Sequence, residues 1–469
     1  MALQFYNTLH RTMEDFKPIN KDEVGLYCCG PTVYNFAHIG NLRTYFFEDI
    51  LRRVLERNGY TVKHVMNVTD VGHLSDDGDD GEDKMIKSAR EKGWNVWQIA
   101  EHFTNAFFSD IDSLHIKTPQ VVCKATDHIK DMQNLISQLE EKGLTYVSEG
   151  NVYYDTEGFT SYGEMALLDR QELMSGARVD IDTAKKNPRD FVLWFTKSKF
   201  EDQAMQWESP WGKGYPGWHL ECSAMSTKYL GEQFDIHCGG VDHIPVHHTN
   251  EIAQTEGATG KSWVNYWLHG EFLLDQTGKM SKSKGDFLTL QKLKDMGYEA
   301  MDYRYFLLGA HYRSQLIFTY ESLDSAKKAR KNLEKKVLEF KSKVTGSIIL
   351  DETGKLIIEE FNAALDQDMN MPRALSVVWK TVKAKNMLPE QKLAVLYDMD
   401  GILGLGLEAL ENVEVVEEPL DDKLLQLIRE REDARKNKDF LKSDQLRDEL
   451  LKQGIQIIDT PQGAQWKKV

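Results

Sequence analysis

The segment that most constrains the fold is a short apolar run at 24–28, followed by a turn at 31–41 and a long amphipathic helix from 42 to about 57. A strand, a glycine-containing turn and a helix N-terminus present free backbone N–H groups beside the positive end of the helix dipole. Such a site suits a phosphate or a nucleotide. An ordinary strand-to-helix turn capped by Asn41 fits the same residues, so this segment alone leaves both interpretations open.

A second apolar run, at 61–68, extends this segment to a strand–helix–strand unit. Such a unit is typical of a parallel sheet, in which ligands bind at the carboxyl ends of the strands. We therefore expect Cys29, His38 and Thr69 to lie at one edge of the sheet. The pattern predicts an α/β fold with a Rossmann-type parallel sheet.

Length and composition indicate a globular protein of several domains. With 469 residues and 41% hydrophobic content, roughly two to four domains are expected. No apolar run reaches about eighteen residues, so we expect no membrane span, and the first residues do not resemble a signal peptide. The five cysteines are sparse and odd in number, which indicates a reducing compartment, the cytoplasm, rather than a disulfide scaffold.

The distribution of charge bears on nucleic-acid binding. The net charge of −16 is unfavourable, because contacts to phosphate need local Lys and Arg. One segment, 327–343, is strongly basic and has only Glu334 and Glu339 against its Lys and Arg residues. Such a helix can follow an RNA backbone, although a solvated helix face gives the same pattern. The acidic run at 76–83 lacks the alternation of a calcium-binding loop, and we expect an acidic loop there.

Several cysteine and histidine residues have spacings that suit a metal ion. His247 and Glu251 are four residues apart, which places both side chains on one face of a helix. With Cys29 and Cys222 they would offer two thiolates, one imidazole and one carboxylate, a set that suits zinc. Spacing alone does not select this set, because further candidate ligands are available: His219, His243, Cys28 and Cys238.

Two motifs in this order resemble the ATP-binding motifs of class I aminoacyl-tRNA synthetases. The first is His-Ile-Gly-Asn at 38–41, a variant of the motif usually written HIGH, and the second is Lys-Met-Ser-Lys-Ser at 279–283. Longer segments resemble those of cysteinyl-tRNA synthetases, essentially from end to end of the chain: Tyr-Cys-Cys-Gly-Pro-Thr-Val-Tyr at 27–34, Asn-Val-Thr-Asp at 67–70, Gly-Trp-His-Leu-Glu-Cys-Ser-Ala at 217–224 and His-His-Thr-Asn-Glu-Ile-Ala-Gln at 247–254.

The resemblance implies roles for individual residues. It implies one zinc ion per chain, held by Cys29, Cys222, His247 and Glu251. For catalysis it implies His38, Asn41, Lys279 and Lys282, with ATP contacts from His38, Gly40, Asn41 and Lys282 and with Mg²⁺ bound to the ATP. Around the amino acid it implies Thr69, Trp218 and Asp242. The run His-Ile-Pro-Val at 243–246 departs from many relatives, which have Phe-Pro here. We therefore expect His243 close to the site, and the local backbone path stays open.

The resemblance also implies a division of the chain. A Rossmann-type catalytic domain would comprise 1–120 and 206–320, a connective insertion 121–205, a tRNA-binding helical bundle 321–407, an acidic linker 408–422 and an anticodon-recognition module 423–469. Local patterns within these parts predict a turn at 238–240, helical structure from 286 to about 309 and a single helix at the start of the last module.

The implied function is a cysteine–tRNA ligase that activates L-cysteine with ATP and transfers it to tRNA-Cys, acting as a monomer. Zinc would explain the selection of cysteine, because a pocket that measures shape alone separates it from serine by only about 10². Zinc binds a thiolate far better than a hydroxyl. Two alternatives stay open. A ligase joining cysteine to an amino sugar, as in the mycothiol pathway, would lack the last module, and a non-catalytic RNA-binding paralogue would have one degraded ATP motif.

Overall fold

The structure is a computed structural model that describes residues 2–72, 84–167, 183–197, 205–275, 278–279, 287–411, 422–437, 439–460 and 463–468. The chain divides into two compact units, Met1–Leu410 and Glu411–Val469. Within the described ranges, no helix is both long and apolar enough to cross a membrane. The predicted acidic loop at 76–83 and most of the predicted acidic linker lie outside the described residues.

The strands and helices follow one another with these bounds. The strands are β1 (Gln4–Asn7), β2 (Thr12–Asp15), β3 (Glu23–Cys28), β4 (Thr61–Val68), β5 (Val121–Lys124), β6 (Thr145–Ser148), β7 (Asn151–Tyr154), β8 (Phe191–Phe195), β9 (Tyr215–Pro216), β10 (Phe234–Gly240), β11 (Val264–Gly270), β12 (Leu273–Asp275), β13 (Gly278–Lys279), β14 (Leu316–Ile317), β15 (Ile455–Thr460) and β16 (Gly463–Lys468). The helices are α1 (Ile39–Arg57), α2 (Lys84–Lys92), α3 (Val96–Ser113), α4 (Ile129–Glu141), α5 (Trp218–Leu230), α6 (His247–Thr259), α7 (Leu290–Asp295), α8 (Ala300–Leu308), α9 (Tyr320–Lys341), α10 (Glu352–Leu365), α11 (Met371–Lys383), α12 (Pro389–Leu403), α13 (Asp422–Lys436) and α14 (Phe440–Lys452).

The first unit is built on a five-stranded sheet with the order β11-β10-β3-β4-β5. All four of its strand pairs are parallel, which confirms the predicted α/β fold with a Rossmann-type sheet. β5 begins at Val121 and pairs with β4, so the sheet continues past residue 120, the predicted end of its first half. The β3–α1–β4 unit follows the predicted bounds, except that α1 begins three residues earlier, at Ile39.

The turn predicted at 238–240 is wrong, because β10 continues through these residues to Gly240. Cys238, Gly239 and Gly240 pair in register with the last residues of β11. Glycine is required here for close approach rather than for a turn: a Cβ atom at Gly239 would lie 2.7 Å from Nδ1 of His243. Glycine in a strand often marks such an approach of neighbouring groups.

Alternating side chains of the central strands enter two different cores, as expected for a sheet covered on both faces. Leu26 and Cys28 pack with the apolar side of α1 in one core, together with Ile39, Phe46 and Ile50. Tyr27 and Cys29 belong to the other core, which includes residues of α5 and α6. The two adjacent cysteines of the chain therefore lie in different environments.

The residues between β5 and α5 add a second, antiparallel sheet with the order β6-β7-β8-β9. Its strands are rich in aromatic residues, and the rings of Tyr154 and Phe191 stack with their centroids 5.0 Å apart. Ring stacking between neighbouring strands stabilises such a small sheet. Strands β6, β7 and β8 lie within the sequence range predicted as an insertion, 121–205, whereas β9 lies beyond it and ends at Pro216.

The range predicted as helical, 286–309, contains two short helices in its described part, α7 and α8. Gly297 lies between them with a φ angle of 86°, a conformation that glycine adopts easily and that ends helices. Helices α9 to α12 follow, and their buried residues include Leu333, Phe361, Val378 and Leu396. This helical region is the one that the sequence predicts.

The second unit contains two helices, α13 and α14, followed by an antiparallel hairpin of β15 and β16. The prediction of a single helix was therefore wrong. Asp439 begins the second helix, because its side chain accepts a hydrogen bond from the backbone N–H of Lys442, a standard N-terminal cap. Ile428, Leu450 and Ile455 form the small core of the unit.

Candidate active site and metal centre

A cleft of about 1350 Å³, including open solvent at its mouth, lies at the carboxyl ends of β3, β4 and β10. This is where ligands are expected to bind in a parallel sheet. Most of the predicted site residues line it: Cys29, Asn41, Thr69, Trp218, Cys222, Asp242 and His247. The structure therefore brings together residues that are separated by more than two hundred positions in the sequence.

His38 and Asn41 form a reciprocal cap at the start of α1. The Asn41 backbone N–H donates to His38 Nδ1 at 3.1 Å, and the His38 N–H donates to Asn41 Oδ1 at 3.2 Å. The Ile39 N–H donates to the carbonyl of Leu288 at 2.9 Å. The prediction of free N–H groups at this helix start is thus wrong for two residues: the Asn41 N–H is used by the cap, and the Ile39 N–H is used by the carbonyl of Leu288. The cap fixes the imidazole at the positive end of the helix dipole, and Gly40 leaves room for it, because a Cβ there would lie 2.9 Å from Nδ1.

The four residues of the predicted zinc set converge in the wall of this cleft. One ligand atom from each of Cys29, Cys222, His247 and Glu251 lies within 4.8 Å of the others, and all four side chains are buried. Cys29 follows β3, Cys222 lies in the second turn of α5, and α6 presents the other two residues from one face. The structure thus confirms that the four-residue spacing places His247 and Glu251 on one face of a helix.

The geometry of these atoms fits a tetrahedral zinc ion. The two sulfur atoms are 3.9 Å apart, close to the roughly 3.8 Å that a tetrahedral pair of Zn–S bonds of about 2.3 Å requires. His247 Nε2 lies 2.9 Å from Glu251 Oε1. The imidazole nitrogen and the carboxylate oxygen face each other within the set, as two ligands of one ion would.

Electrostatics at this set favour anionic ligands. Burial opposes the thiolate of Cys222, but hydrogen bonds with Cys29 and His247 bring its pKa below the usual value. Burial would also raise the pKa of Glu251, yet His247 and His237 lower it to about 2. Against the effect of burial, Glu251 and Cys222 raise the pKa of His247 to about 10. Burial and the neighbouring Cys222 raise the pKa of Cys29 well above its usual value. A cation that replaced the His247 proton would therefore meet two groups whose negative charge is already stabilised, Cys222 and Glu251, and would itself have to stabilise the thiolate of Cys29.

Sequence reasoning missed two residues that could form a second metal set. His237 and His248, with Cys29 and Glu251, also have their ligand atoms within 4.8 Å of one another. His248 Nε2 is 3.3 Å from Cys29 Sγ, and His237 Nε2 is 2.9 Å from Glu251 Oε2. Both sets share the same thiol and carboxylate. In the sequence, His237 ends a predicted strand and His248 is next to a predicted ligand, but neither position is enough to identify a metal ligand.

The other candidate ligands are distributed around this centre. Cys28 and Cys238 pack in the core on the α1 side of the sheet, away from Cys29 and Cys222. His219 Nδ1 lies 2.9 Å from His247 Nδ1, so His219 contacts the ring nitrogen of His247 that does not face Glu251. His243 lines the cleft, as expected, and burial lowers its pKa to about 4.

The residues predicted around the amino acid lie beside the metal set. The ring of Trp218, the first residue of α5, is centred 4.2 Å from that of His247. Asp242 lies in the turn after β10. Buried Thr69 donates a hydrogen bond from Oγ1 to Glu221 Oε2 at 2.9 Å. Glu221 is a residue that the sequence reasoning missed, although it stands in the same segment as Trp218 and Cys222.

The second ATP motif is described only in part. The backbone of Lys279 lies in β13, paired with Leu274 of β12. Lys282 lies outside the described residues, so its predicted contact with ATP stays a prediction. Strand β12 lies between β13 and β14 in a small three-stranded sheet. The first residue of the motif, Lys279, is therefore held in this sheet.

Comparisons with known proteins agree along the whole chain. A family model described as "tRNA synthetases class I (C) catalytic domain" matches residues 15–328, and one described as "Cysteinyl-tRNA ligase anticodon binding domain" matches residues 418–466. A cysteine–tRNA ligase of Treponema denticola is 50% identical, covering 100% of both chains. That of Borreliella burgdorferi is 44% identical, also over 100% of both. Cysteine–tRNA ligase 1 of Burkholderia lata is 47% identical over 99% of this chain and 96% of that protein.

Solved structures with a similar fold are more distant in sequence. A methionyl-tRNA synthetase of Mycobacterium tuberculosis bound by methionyl-adenylate has a TM-score of 0.55 at 15% identity, covering 82% of this chain and 90% of that one. A LeuRS of Agrobacterium radiobacter in a ternary complex with tRNA has a TM-score of 0.59 at 11% identity and covers 87% of each chain. At these identities the likeness shows the fold alone, that of class I synthetases.

Proposed function

The chain belongs to the cysteine–tRNA ligases, a family of class I aminoacyl-tRNA synthetases, and from this premise we propose how its cleft works. The cysteine carboxylate attacks the α-phosphate of ATP, which gives cysteinyl-adenylate and pyrophosphate. The terminal adenosine of tRNA-Cys then takes the cysteinyl group and AMP leaves. Both steps are transfers that depend on positioning and on stabilisation of developing charge.

The observation that carries this proposal is the convergence of two kinds of site in one cleft. Asn41, from the first ATP motif, and Cys29, Cys222 and His247, from the metal set, all line it. A carboxylate held beside the metal set could therefore reach a phosphate held at the start of α1. His38 and Asn41 would bind the nucleotide at that helix end, and Lys279 and Lys282 would carry positive charge to the phosphates, with Mg²⁺ bound to the ATP.

The metal set has the donors that zinc prefers, and we propose that Cys29, Cys222, His247 and Glu251 hold one zinc ion. Zinc held by these four residues would bind the substrate thiol as a thiolate in a fifth coordination position and would lower its pKa. Trp218 and Asp242 would position the rest of the amino acid, and Thr69 would do so from the end of β4. Serine, whose hydroxyl is a poor ligand for zinc, would be rejected without an editing domain.

The remaining parts of the chain have roles in tRNA binding in this proposal. The helices from α9 to α12 and the second unit would bind the tRNA, with anticodon recognition by 423–469. The amino-sugar ligase alternative is not supported, because such a ligase would lack the module that the anticodon-binding family model matches at 418–466. We propose a monomer that acts in the cytoplasm.

The experiment that tests the proposal is ATP–pyrophosphate exchange with each of the twenty amino acids. Exchange should depend on cysteine and should be at least about 10⁴-fold weaker with serine. Exchange that proceeds equally with serine would contradict the proposed role of the metal set. Charging of tRNA-Cys on the same preparation then tests the second step.

A further inference from the structure

Three aromatic residues form an exposed group at the rim of the cleft: Phe36, Trp94 and His102, which we call the aromatic patch. The His102 ring lies between the other two, with ring centroids 5.7 Å from Phe36 and 4.9 Å from Trp94. Trp94 is 40% exposed and Phe36 is 37% exposed. Nothing in the chemistry of the metal set or of the ATP motifs uses these rings.

The patch adjoins the cleft directly. Phe36 stands between two residues that line the cleft, Asn35 and Ala37. Its ring packs against Phe103, which also lines the cleft, at a centroid distance of 4.9 Å. A chain of nucleotides that leaves the cleft beside Phe36 would therefore pass the patch.

Helix α2 brings basic residues to the sequence that leads into Trp94. It contains four basic residues against one acidic residue, whereas the run at 76–83 that precedes it is acidic. Lys87 and Lys92 of this helix are exposed. Lys92 Nζ lies 5.9 Å from the centre of the Trp94 ring and 5.5 Å from that of Phe103. Exposed aromatic rings beside lysines are the combination that single-stranded nucleic acids bind, through base stacking and phosphate contacts.

We propose that the aromatic patch binds the unpaired 3′ end of the tRNA as it enters the cleft, with a base stacked on Trp94 and neighbouring phosphates beside Lys87 and Lys92. This inference rests on the proposed function, because the terminal adenosine must reach the cleft for the second step. A duplex stem would not serve as the occupant, because its bases are already stacked and turned away from the protein.

The test compares binding of intact tRNA-Cys with that of tRNA-Cys lacking its unpaired 3′ end. Trp94→Ala should weaken binding of intact tRNA on the order of tenfold, the effect of losing one stacked base. It should leave binding of the shortened tRNA unchanged, and Trp94→Phe should restore much of the loss. Trp97→Ala is the matched control, because Trp97 is 52% exposed on α3 and makes no ring contact with the patch among the described residues.

A second pair of variants tests the phosphate contacts. Lys92→Ala and Lys87→Ala should each reduce, by about one, the slope of the logarithm of affinity against the logarithm of salt concentration for intact tRNA. ATP–pyrophosphate exchange, which needs no tRNA, checks that every variant is folded. If the unmodified protein showed no ATP–pyrophosphate exchange with cysteine, that result would contradict the proposed function itself and not only the role of the aromatic patch.

Three outcomes would overturn the inference. Trp94→Ala could leave intact tRNA bound as before, or weaken intact and shortened tRNA equally. Alternatively, sedimentation could show that the unmodified protein is a dimer that Trp94→Ala dissociates, which would make the patch an interface between two copies of the chain.

Discussion

At the residue scale, the cleft depends on buried polar groups that position one another. Thr69 Oγ1 donates to Glu221 Oε2 and accepts from Asn67 Nδ2 at 3.0 Å. Asn67 Oδ1 in turn accepts from the Gly30 N–H at 2.8 Å. This series of hydrogen bonds joins the ends of β3 and β4 to α5. Loss of any of these hydrogen bonds would be costly, because the side chains of Asn67, Thr69 and Glu221 are buried.

Replacement of the Thr69 hydroxyl tests this series. Thr69→Val removes the hydroxyl at similar volume, so Asn67 and Glu221 each lose one buried hydrogen bond, and the free energy of unfolding should fall by about 1–3 kcal/mol. The KM for cysteine should rise, because the end of β4 would no longer be fixed. Thr69→Ser keeps the hydroxyl and is the matched control. Urea unfolding and exchange kinetics of both variants measure the effects, and identical behaviour of the two would contradict this role.

The two overlapping metal sets can be told apart one residue at a time. A set with two thiolates suits zinc better than one with a single thiolate, so we expect Cys222 and His247 to bind the ion rather than His237 and His248. His247→Ala should abolish stoichiometric zinc, whereas His248→Ala should retain one zinc per chain with weakened affinity. Metal analysis after dialysis measures both. Loss of zinc only in His248→Ala would favour the second set.

At the element scale, one arginine of α8 connects several parts of the first unit. Arg304 is fully buried and donates to Asp49 Oδ2 on α1 at 2.9 Å. It also donates to the carbonyls of Leu403 and Leu114, at 2.6 and 2.7 Å. Burial opposes the charge on Asp49, but Arg304 and Arg53 hold its pKa below the usual value. This carboxylate is therefore ionised and fixes α1, which begins at the ATP motif, to the helices that follow.

Breaking this buried pair should be strongly destabilising. Arg304→Met leaves a buried carboxylate with one partner fewer, and the free energy of unfolding should fall by about 3–5 kcal/mol. Lys355→Ala, which removes an exposed pair with Glu352, is the control and should change it by at most about 1 kcal/mol. Urea unfolding at neutral pH measures both.

The effect of Arg304→Met should depend on pH in one direction. A carboxyl whose pKa is lowered on folding contributes stability above its unfolded pKa, which is about 3.9 for Asp. That contribution is lost as the pH falls through the lower pKa of Asp49 in the folded protein. The difference in stability between the parent chain and Arg304→Met should therefore shrink below about pH 4. A difference that stays constant there would contradict the ion-pair account.

The elements that the sequence predicted correctly are those whose apolar pattern is local. The strands β3 and β4 are visible in the sequence as short apolar runs, because the sheet is covered on both faces, and the period of α1 is visible because one side of that helix is buried. The continuation of β10 through Gly239 could not be predicted from the sequence, because a glycine usually indicates a turn. Here the glycine leaves room for the ring of His243, a contact that only the tertiary structure shows. Likewise, the four zinc candidates followed from residue type and resemblance, but His248 required the structure, since only its 3.3 Å distance to Cys29 identifies it.

At the scale of the whole molecule, the chain has one unit with the cleft and a second unit of 411–469 that matches an anticodon-binding domain over 418–466. The first unit has its own extensive cores, and the second has a small core of its own. Each unit can thus be considered separately for folding and for function. In the proposed function, activation of cysteine needs only the first unit, whereas tRNA charging involves both.

Removal of the second unit tests this division. A chain that ends at Leu410 should retain ATP–pyrophosphate exchange at a rate close to that of the full chain, because all the cleft residues precede this point. Its charging of tRNA-Cys should fall by at least about tenfold, because contacts with the tRNA are lost. Both activities are measured on the same preparation. Equal losses in the two activities would mean that the second unit stabilises the first, and undiminished charging would contradict a role in tRNA recognition.

The central claim is that Cys29, Cys222, His247 and Glu251 bind one metal ion that recognises the thiol of the substrate. The most direct measurement is the absorption spectrum of the protein after Co²⁺ has replaced zinc, recorded with cysteine and with serine. Thiolate-to-cobalt charge transfer should be present in the protein alone, should increase when cysteine is added and should not change with serine. A spectrum that does not respond to cysteine, together with an unchanged preference for cysteine over serine in Cys222→Ser, would mean a purely structural metal and would contradict the claim.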